Sequence, residues 1–422
     1  MKEEFLHYLW RFQKFQKRDL QTTSGEAIKI LNQGTYNEHQ GPDFLAAQLI
    51  IGNQRWAGNI ELHVTSSEWM AHGHQDDPNY DNVILHVVWE HDREIFRKDK
   101  TQIPTLILEN RVDLALTQKY HDFFSRKEFF IPCEQHFKEV PSLTFNNWLN
   151  RLFVERLEEK TTRIVQELEA TQNNWEAVFF RMLLRNFGLK LNGESFFSIA
   201  KSVPFDKFQK CRYNLLKFEA LLFGQAGMLE KELPDSYYEL LQDSYTYSKH
   251  FFELDQFGVV PPKFFRLRPP NFPTIRLAQF AALWTEREHL FSEVITTNTK
   301  EEFYKLFHVA ASEYWDLHYN FEVASAKRKK SLTKGFIDLL LINTVIPIKF
   351  AYAKYQGEDI SENLEALALS LSGEKNKIIT KFRAIREMDD SAMYTQALLQ
   401  LKQQYCDNRK CLHCAVGNFA LK

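Results

Sequence analysis

Hydrophobic and polar positions change their period along the chain, and the changes divide it into two regions. Alternation with a period of two across residues 44–64 predicts a β-hairpin, and the nearly unbroken apolar run at 83–89 is typical of a strand buried on both faces. A helix is predicted before them at 3–17. We therefore expect an α/β N-terminal domain with a mixed sheet at residues 1–135, followed by a mainly α-helical region at residues 140–422.

Helical periodicity dominates the second region. The predicted helices lie at residues 143–170, 174–187, 215–229, 275–291, 301–317, 335–354 and 363–371. The proline-rich segment 261–273 interrupts them as an extended connector, and any subdivision of the region is expected there. The most apolar stretch, 335–352, contains Asp338, Pro347 and Lys349, so it is predicted to be a buried helix rather than a membrane span.

Composition narrows the class of protein. The 422 residues include 36 Phe, 16 Tyr and 8 Trp but only 15 Gly and 13 Pro, which indicates large aromatic cores and few long loops. The net charge of −2 excludes a uniformly basic nucleic-acid binder, so contact with nucleic acid would need a local patch. Residues 1–5 lack the signal-peptide pattern, and five cysteines do not suit a secreted disulfide framework. We therefore expect a cytoplasmic protein that makes no membrane contact.

The hairpin carries the best candidate chemistry, because it presents two acids on neighbouring strands. Glu61 and His63 share the face opposite the apolar residues of their strand. With a three-residue turn, Asp43 lies opposite His63 on that face. A two-residue turn moves Asp43 to the other face unless a bulge, for which Gly58 is the candidate, restores it. Two carboxylates on one face can share a divalent ion.

Segment 41–63 resembles the PD-(D/E)XK nuclease superfamily, in which an Asp begins one strand and Glu-x-Lys lies on the next. The resemblance implies a restriction-endonuclease-like fold, with Asp43 and Glu61 as ligands of Mg²⁺ or Mn²⁺ and a phosphodiester as substrate. His63 stands where the superfamily has lysine, and an imidazole can orient a water, act as a base or serve as a third ligand. Glu38 or Glu26 would complete the acidic set. The alternative interpretation is an exposed hairpin with a polar outer face.

A dense group of histidines follows the hairpin. His72, His74 and Asp77 lie within fifteen residues of His63. Histidines with nearby acids are typical of transition-metal sites and of acid–base catalysis. They are also typical of solvent-facing loops. This group strengthens the candidate site of the hairpin. It also supports a further hypothesis, a metal-dependent hydrolase of small molecules.

Three cysteines and a histidine lie close together near residue 410. They are Cys406, Cys411, His413 and Cys414. The Cys-x4-Cys-x2-Cys spacing suits a metal, with His413, Cys133 or Cys211 as the fourth ligand of Zn²⁺ or of an iron–sulfur cluster. The arrangement resembles that of some nuclease-superfamily relatives, which hold an iron–sulfur cluster on three C-terminal cysteines and one remote cysteine, although the spacing differs. Free thiols on a terminal helix are the alternative.

The candidate contact with nucleic acid is the basic run Lys327, Arg328, Lys329 and Lys330. Such a run is more often a solvated surface. A second basic group borders the proline connector at residues 266–276. No Walker-type glycine loop, Rossmann fingerprint or nucleophile elbow occurs in the sequence, which argues against P-loop nucleotide hydrolysis and serine-hydrolase chemistry.

Segments along nearly the whole chain resemble one bacterial family described as a domain of unknown function. They are residues 41–44, 58–63, 72–80, 83–88, 219–227, 268–276 and 342–344 and the cysteines near residue 410. That resemblance implies no activity. The sequence therefore predicts a metal-dependent hydrolase of nucleic-acid phosphodiesters. The alternatives are a non-catalytic nucleic-acid-binding or scaffold protein with a structural metal site, and a small-molecule hydrolase that uses His63, His72, His74 and Asp77.

Overall fold

The computed structural model describes residues 1–37, 39–125, 129–321 and 323–421. They form two compact units, Met1–Phe145 with Gln403–Lys422, and Asn146–Lys402. The mixed sheet lies in the first unit and the second is mostly helical, which confirms the predicted fold class. The cysteine-rich segment belongs to the first unit, whereas the sequence-based division placed it with the helical region.

The first unit is built on one mixed sheet. Its strands are β1 (Ile28–Asn32), β2 (Thr35–Tyr36), β3 (Phe44–Ile51), β4 (Gln54–Thr65), β5 (Val83–Glu90) and β6 (Thr105–Ile107), and its helices are α1 (Glu3–Arg11), α2 (Glu68–Ala71), α3 (Leu114–Ser125) and α18 (Ala415–Ala420). The order across the sheet is β1-β3-β4-β5-β6, with β2 paired to β3. Strands β1, β3 and β4 pair antiparallel, whereas β4, β5 and β6 pair parallel.

Strand β5 lies between β4 and β6, and both of its faces are covered. All six residues at 83–88 are buried, as predicted from the continuous apolar run. Helix α1 packs against β4 and buries Phe5, Leu6 and Leu9 completely. It ends at Arg11, six residues earlier than predicted, since Gln13 adopts a left-handed backbone with φ of 52°.

The β3–β4 hairpin sets which side chains face each other. Ile51 pairs with Gln54, so the turn has two residues. Near the other end Phe44 pairs with Ile60, whereas Ala47 pairs with Gly58, so β3 carries one extra residue. Ala46 takes φ of 56° in this bulge. The bulge therefore lies in β3 rather than at Gly58, and it turns Asp43 to the face of Glu61.

The second unit consists of helices around an aromatic core. From residue 142 onward the helices are α4 (Ser142–Ala170), α5 (Trp175–Phe187), α6 (Leu189–Ser202), α7 (Phe205–Cys211), α8 (Leu215–Gln225), α9 (Ser236–Phe251), α10 (Pro273–Glu286), α11 (Leu290–Thr296), α12 (Lys300–Leu306), α13 (Lys334–Leu340), α14 (Ile346–Gln356), α15 (Ser361–Ser370), α16 (Lys377–Ile385) and α17 (Ala392–Gln400), with a small hairpin of β7 (His318–Asn320) and β8 (Val323–Ala324). Phe180 contacts the rings of Phe208, Phe280 and Trp284 at 4.6 to 5.2 Å between centroids. Such ring contacts add to the free energy of apolar burial.

Helices α13 and α14 join through a π-helical turn at Leu341–Val345, just before Pro347. Proline has no N–H to offer the preceding turn, which leaves backbone carbonyls in need of donors. Asn186 Nδ2 donates to Asn343 O at 3.1 Å, and Lys160 Nζ donates to Ile342 O at 3.3 Å. Burial, followed by the charge of Arg156, lowers the pKa of Lys160 to about 7. The continuous helical segment Lys334–Gln356 is long and apolar enough to cross a membrane, but 78% of its apolar window is buried within the protein.

Glu219 on α8 gives the stability of the second unit a specific pH dependence. Burial raises its pKa to about 7, although it accepts hydrogen bonds from Tyr237 and Ser312. Since the ordinary value is 4.5, the native state binds more protons in between, and the free energy of unfolding falls as pH rises from 4.5 to about 7. In Glu219→Gln this fall in the free energy of unfolding between pH 4.5 and about 7 should be smaller by up to about 3 kcal/mol, because the amide does not titrate.

The measurement is the urea midpoint followed by tryptophan fluorescence between pH 5 and 8. The exposed Glu232→Gln variant is the control and should keep the wild-type slope. An unchanged slope in Glu219→Gln would contradict the assignment.

Two glycines form a matched pair for testing the packing of α8 on α9. A Cβ on Gly224 would lie 2.1 Å from the ring of Tyr245, whereas one on Gly335 would meet nothing within 4 Å. We expect Gly224→Ala to lower the free energy of unfolding by about 1–3 kcal/mol, because overpacking outweighs the gain in helix propensity. Gly335→Ala should leave it equal or slightly higher. Equal urea midpoints for both variants would show that Tyr245 moves aside at no cost.

Candidate metal centre

Helix α1 and strands β3 and β4 bring acids and histidines together at one end of the hairpin. Asp43 directly precedes β3, and Glu61 and His63 lie on β4. The two acids are held by reciprocal hydrogen bonds: Asp43 N donates to Glu61 Oε2 at 3.1 Å, and Leu62 N donates to Asp43 Oδ2 at 2.9 Å. Both carboxylates are therefore fixed by backbone groups and not only by their own rotamers.

Three histidines lie near the Glu61 carboxylate of this pair. His63 Nε2 lies 3.2 Å from His72 Nδ1 and 3.6 Å from Glu61 Oε1, and His74 Nε2 lies 3.3 Å from the same oxygen. The ligand nitrogens of the three histidines all lie within 4.8 Å of one another. We name Glu61, His63, His72 and His74 the histidine centre.

Three donor separations in the histidine centre are close to those around a tetrahedral ion. Bond lengths of about 2.0–2.1 Å from zinc to nitrogen or oxygen put neighbouring donors about 3.3–3.4 Å apart. The three measured separations straddle that value. His74 Nε2 is buried and makes no aligned hydrogen bond with any described group, although the Glu61 oxygen is near. Glu61 Oε1 lies 3.3 Å from this nitrogen, a separation also found between two ligands of one ion.

His86 on β5 supports the centre from behind. His63 Nδ1 lies 2.8 Å from His86 Nε2, and both rings are buried. A ligating histidine usually donates its second ring N–H to a partner that fixes its tautomer and orientation. Tyr80 stacks on His74 at 3.8 Å between ring centroids, which limits the motion of that ring.

Burial favours the neutral form of His63, His74 and His86. It lowers the pKa of His63 to about 2 and of His86 to about 3, and it lowers the pKa of His74 as well. Neutral imidazole is the form that binds metals. Burial and then the nearby Asp43 carboxylate raise the pKa of Glu61 to about 9. A cation would compensate both unfavourable effects on the Glu61 carboxylate.

A second donor group lies on the other side of Asp43. Glu3 and His7 are one turn apart on α1, with His7 Nε2 at 3.2 Å from Asp43 Oδ2 and 3.5 Å from Glu3 Oε1. Burial alone would lower the pKa of His7, but its bonds to Asp43 and Glu3 raise it to about 9. The sequence prediction missed both residues. Their i, i+4 spacing on an otherwise buried helix was the available signal.

Three further residues were predicted for this site, and one of them, Glu38, lies outside the described residues. Glu26 lies beside Gly52 at the turn of the hairpin, the opposite end from Asp43. Asp77 accepts a hydrogen bond from Asn79 N and caps the turn Pro78–Tyr80, so its carboxylate is partly used in local structure.

The four residues of the basic run at 327–330 differ in their exposure to solvent. Lys327, Arg328 and Lys329 are exposed, whereas Lys330 is buried and donates to Asp316 O at 2.8 Å. Lys330 therefore does not offer its charge to a surface phosphate. All of these residues belong to the second unit.

The C-terminal cysteines lie in the first unit with Cys133. Cys411 begins the 3-10 turn Cys411–His413 and Cys414 precedes α18, which packs on the turn Glu134–Glu139 that follows Cys133. Cys211 lies in the second unit, at the end of α7. Of the remote candidates, the structure therefore places Cys133 in the unit that holds the terminal cysteines.

Comparison with known proteins identifies a family. A family model described as "Protein of unknown function (DUF2851)" matches residues 3–377. No curated protein and no solved structure matches the chain.

The histidine centre predicts a specific loss of metal in a single variant. Wild-type protein dialysed against Zn²⁺ should retain one ion more per chain than His74→Ala, because removal of one of four ligands should weaken binding by more than the 10- to 100-fold typical of supporting residues. The matched control is the exposed His121→Ala in the same unit, which should bind as wild type does. Metal content is measured by plasma mass spectrometry and affinity by calorimetry. Equal zinc in His74→Ala and wild type would refute the centre.

Proposed function

The chain belongs to this family of unknown function, and because membership assigns no activity, we propose one from the geometry: a metal-dependent hydrolase that cleaves nucleic-acid phosphodiesters at the histidine centre. Two observations support the proposal: separations of 3.2 to 3.6 Å link Glu61, His63, His72 and His74 in a chain, and the nitrogens of the three histidines lie within 4.8 Å of one another. Side chains that only cap strands or face solvent in a loop are not expected to bring their donor atoms this close together.

The donor set favours a particular class of ion. Three imidazoles and one carboxylate suit Zn²⁺ or Mn²⁺ better than Mg²⁺, which prefers oxygen ligands and retains its waters. This donor set differs from the carboxylates and lysine of the PD-(D/E)XK superfamily, and His63, which stands in place of the lysine, is part of that difference. A divalent ion held here supplies Lewis acidity toward a phosphoryl oxygen and lowers the pKa of a water molecule.

The surrounding residues have separate tasks in the proposed reaction. Asp43 orients Glu61 through its backbone N–H, and His86 fixes the ring of His63. His7 lies between Asp43 and Glu3 and carries a proton at neutral pH, so it adds positive charge beside the two acids. That charge is placed to offset the phosphate charge as a substrate approaches.

Two observations favour a phosphodiester polymer over a small substrate. His72 is exposed, so the centre opens to solvent on that side instead of lying in a closed cavity. In addition, the protonated His7 lies 3.2 Å from Asp43, and its charge suits an anionic phosphodiester better than a neutral ester. The resemblance of segment 41–63 to the nuclease superfamily points in the same direction.

A second candidate function is hydrolysis of small molecules. The nitrogen-rich donor set favours it, since metal-dependent hydrolases commonly use two or three histidines. Asp77, which that hypothesis needs, is engaged in capping its own turn. The two functions can be distinguished by substrate, since the first predicts cleavage of nucleic acid and the second predicts cleavage of small molecules.

The deciding assay offers the full chain single- and double-stranded DNA, single-stranded RNA, bis-p-nitrophenyl phosphate and p-nitrophenyl acetate, with Mn²⁺ or Zn²⁺ present. We expect cleavage of a nucleic acid, abolished by chelator and by Glu61→Gln. His86→Ala should lower the rate by about 10- to 100-fold, because it acts through His63. The control His121→Ala should retain full activity.

The outcomes separate the hypotheses. Turnover of the acetate ester without any phosphodiester would support the small-molecule hydrolase. Nuclease activity that persists in Glu61→Gln and His63→Ala would show that it does not arise from this centre, and the proposal would fail.

A further inference from the structure

The proline connector at residues 261–273 of the second unit presents an aromatic ring and three cations to solvent. Phe265 is 77% exposed, although phenylalanine is among the residue types most often buried, and the Arg266 guanidinium lies 5.1 Å from the centre of its ring. Lys263 and Arg268 are exposed as well, and none of the three cations forms an ion pair with any described residue. The sequence has no acid at residues 256–285. The surface is therefore aromatic and locally basic.

Buried side chains of α6 fix the backbone at the start of the connector. Lys263 N donates to Asn192 Oδ1 at 2.7 Å, and Asn192 Nδ2 donates to Lys263 O at 2.9 Å. Ser195 Oγ donates to Val260 O at 2.6 Å. Because the backbone is already fixed, little conformational entropy would be lost there when a ligand binds.

A cavity of about 320 Å³ borders the connector. Pro262 and Phe264 line it, and Asn320 on β7 and Lys231 add polar groups, whereas none of the described residues that line it is acidic. Its volume lies at the lower end of the range of about 300–1,000 Å³ that is usual for ligand cavities. Apolar walls with a few polar groups suit a flat ring that carries hydrogen-bonding atoms, such as a nucleobase.

The hairpin that supplies Asn320 leads to a second exposed basic group. Thr274 Oγ1 donates to Tyr319 O at 2.6 Å, which joins the hairpin to α10. After the hairpin, Arg328 N donates to Asp316 O at 2.8 Å, so the exposed residues 327–329 return alongside the residues that precede β7. Cations therefore lie both on the connector and next to the hairpin that borders the cavity.

We propose that the proline connector and this cavity bind single-stranded nucleic acid. One base stacks on Phe265, another enters the cavity, and the phosphates contact the three connector cations. A single strand is required, because the bases of a duplex stack on each other and do not offer their faces. The choice of nucleic acid rests on the proposed function, and it names the form of the substrate. An anionic membrane would also attract exposed phenylalanine and cations, but it would make no use of a cavity with polar groups.

The test measures binding without cleavage. Wild-type protein in chelator is titrated into a fluorescent oligothymidylate of about 12 nucleotides, within the span of known single-strand sites, and anisotropy gives the affinity. Phe265→Ala should weaken binding by about 5- to 150-fold, the effect of losing one base–aromatic stack. Lys263→Ala should reduce the slope of log affinity against log salt by about 0.7. The controls Tyr213→Ala and Lys377→Ala, which change exposed residues of the same unit outside the connector, should bind as wild type does.

Each further outcome separates this proposal from another. Absence of binding, tighter binding to the corresponding duplex, or equal affinities of Phe265→Ala and Tyr213→Ala would overturn it. Binding to vesicles of phosphatidylserine and phosphatidylcholine that requires Phe265, without binding to the oligonucleotide, would assign the surface to a membrane and also overturn it. Binding that requires Phe265 in a protein that cleaves no nucleic acid would support this proposal and refute the proposed function.

Discussion

One extra residue in strand β3, at the bulge around Ala46, determines whether the carboxylates of Asp43 and Glu61 lie on the same face of the sheet beside α1. Side chains of a strand alternate strictly, so the two-residue turn at Gly52 would place Asp43 on the face of Ala47 and Leu49. The bulge moves it to the face of Glu61, where each acid is tied to the other strand by a backbone N–H. The bulge thereby connects α1 with the histidine centre, because His7 contacts Asp43 while His63 and His74 contact Glu61.

The concentration of ionisable groups on this face is costly for folding. Removing a carboxylate or an imidazolium from water costs several kcal/mol per ion unless a partner compensates it. The protein reduces the cost by keeping His63 and His86 neutral and by favouring the protonated form of Glu61. Such strongly shifted values are typical of sites shaped for chemistry, and here they coincide with donors at ligand spacing.

The sequence was sufficient for elements with a clear period. Strand β5 and helices α4, α5 and α8 lie where their apolar positions predicted them. Glu61 and His63 fall on one face because alternation within a single strand is local information. The bulge is different: Ala46 is not a residue that favours a left-handed backbone, so its sequence gives no signal.

Contacts between distant segments were the other limit. Glu3 and His7 join the site only because α1 packs on β4, and Cys133 approaches Cys411 only because α18 returns to the first unit. Helix α9 was missed for a related reason. Its buried side is made of Tyr238, Leu241 and Tyr245 among many polar residues, so the apolar period is weak until tertiary packing is known.

The return of residues 403–422 to the first unit makes this protein an insertion architecture, in which residues 146–402 interrupt the unit that contains the histidine centre. During translation the ribosome releases the whole inserted unit before the segment that completes the first one. The inserted unit can therefore fold while its host is still partial, and the host matures only afterwards, through a closure whose entropic cost grows slowly with the length of the insertion.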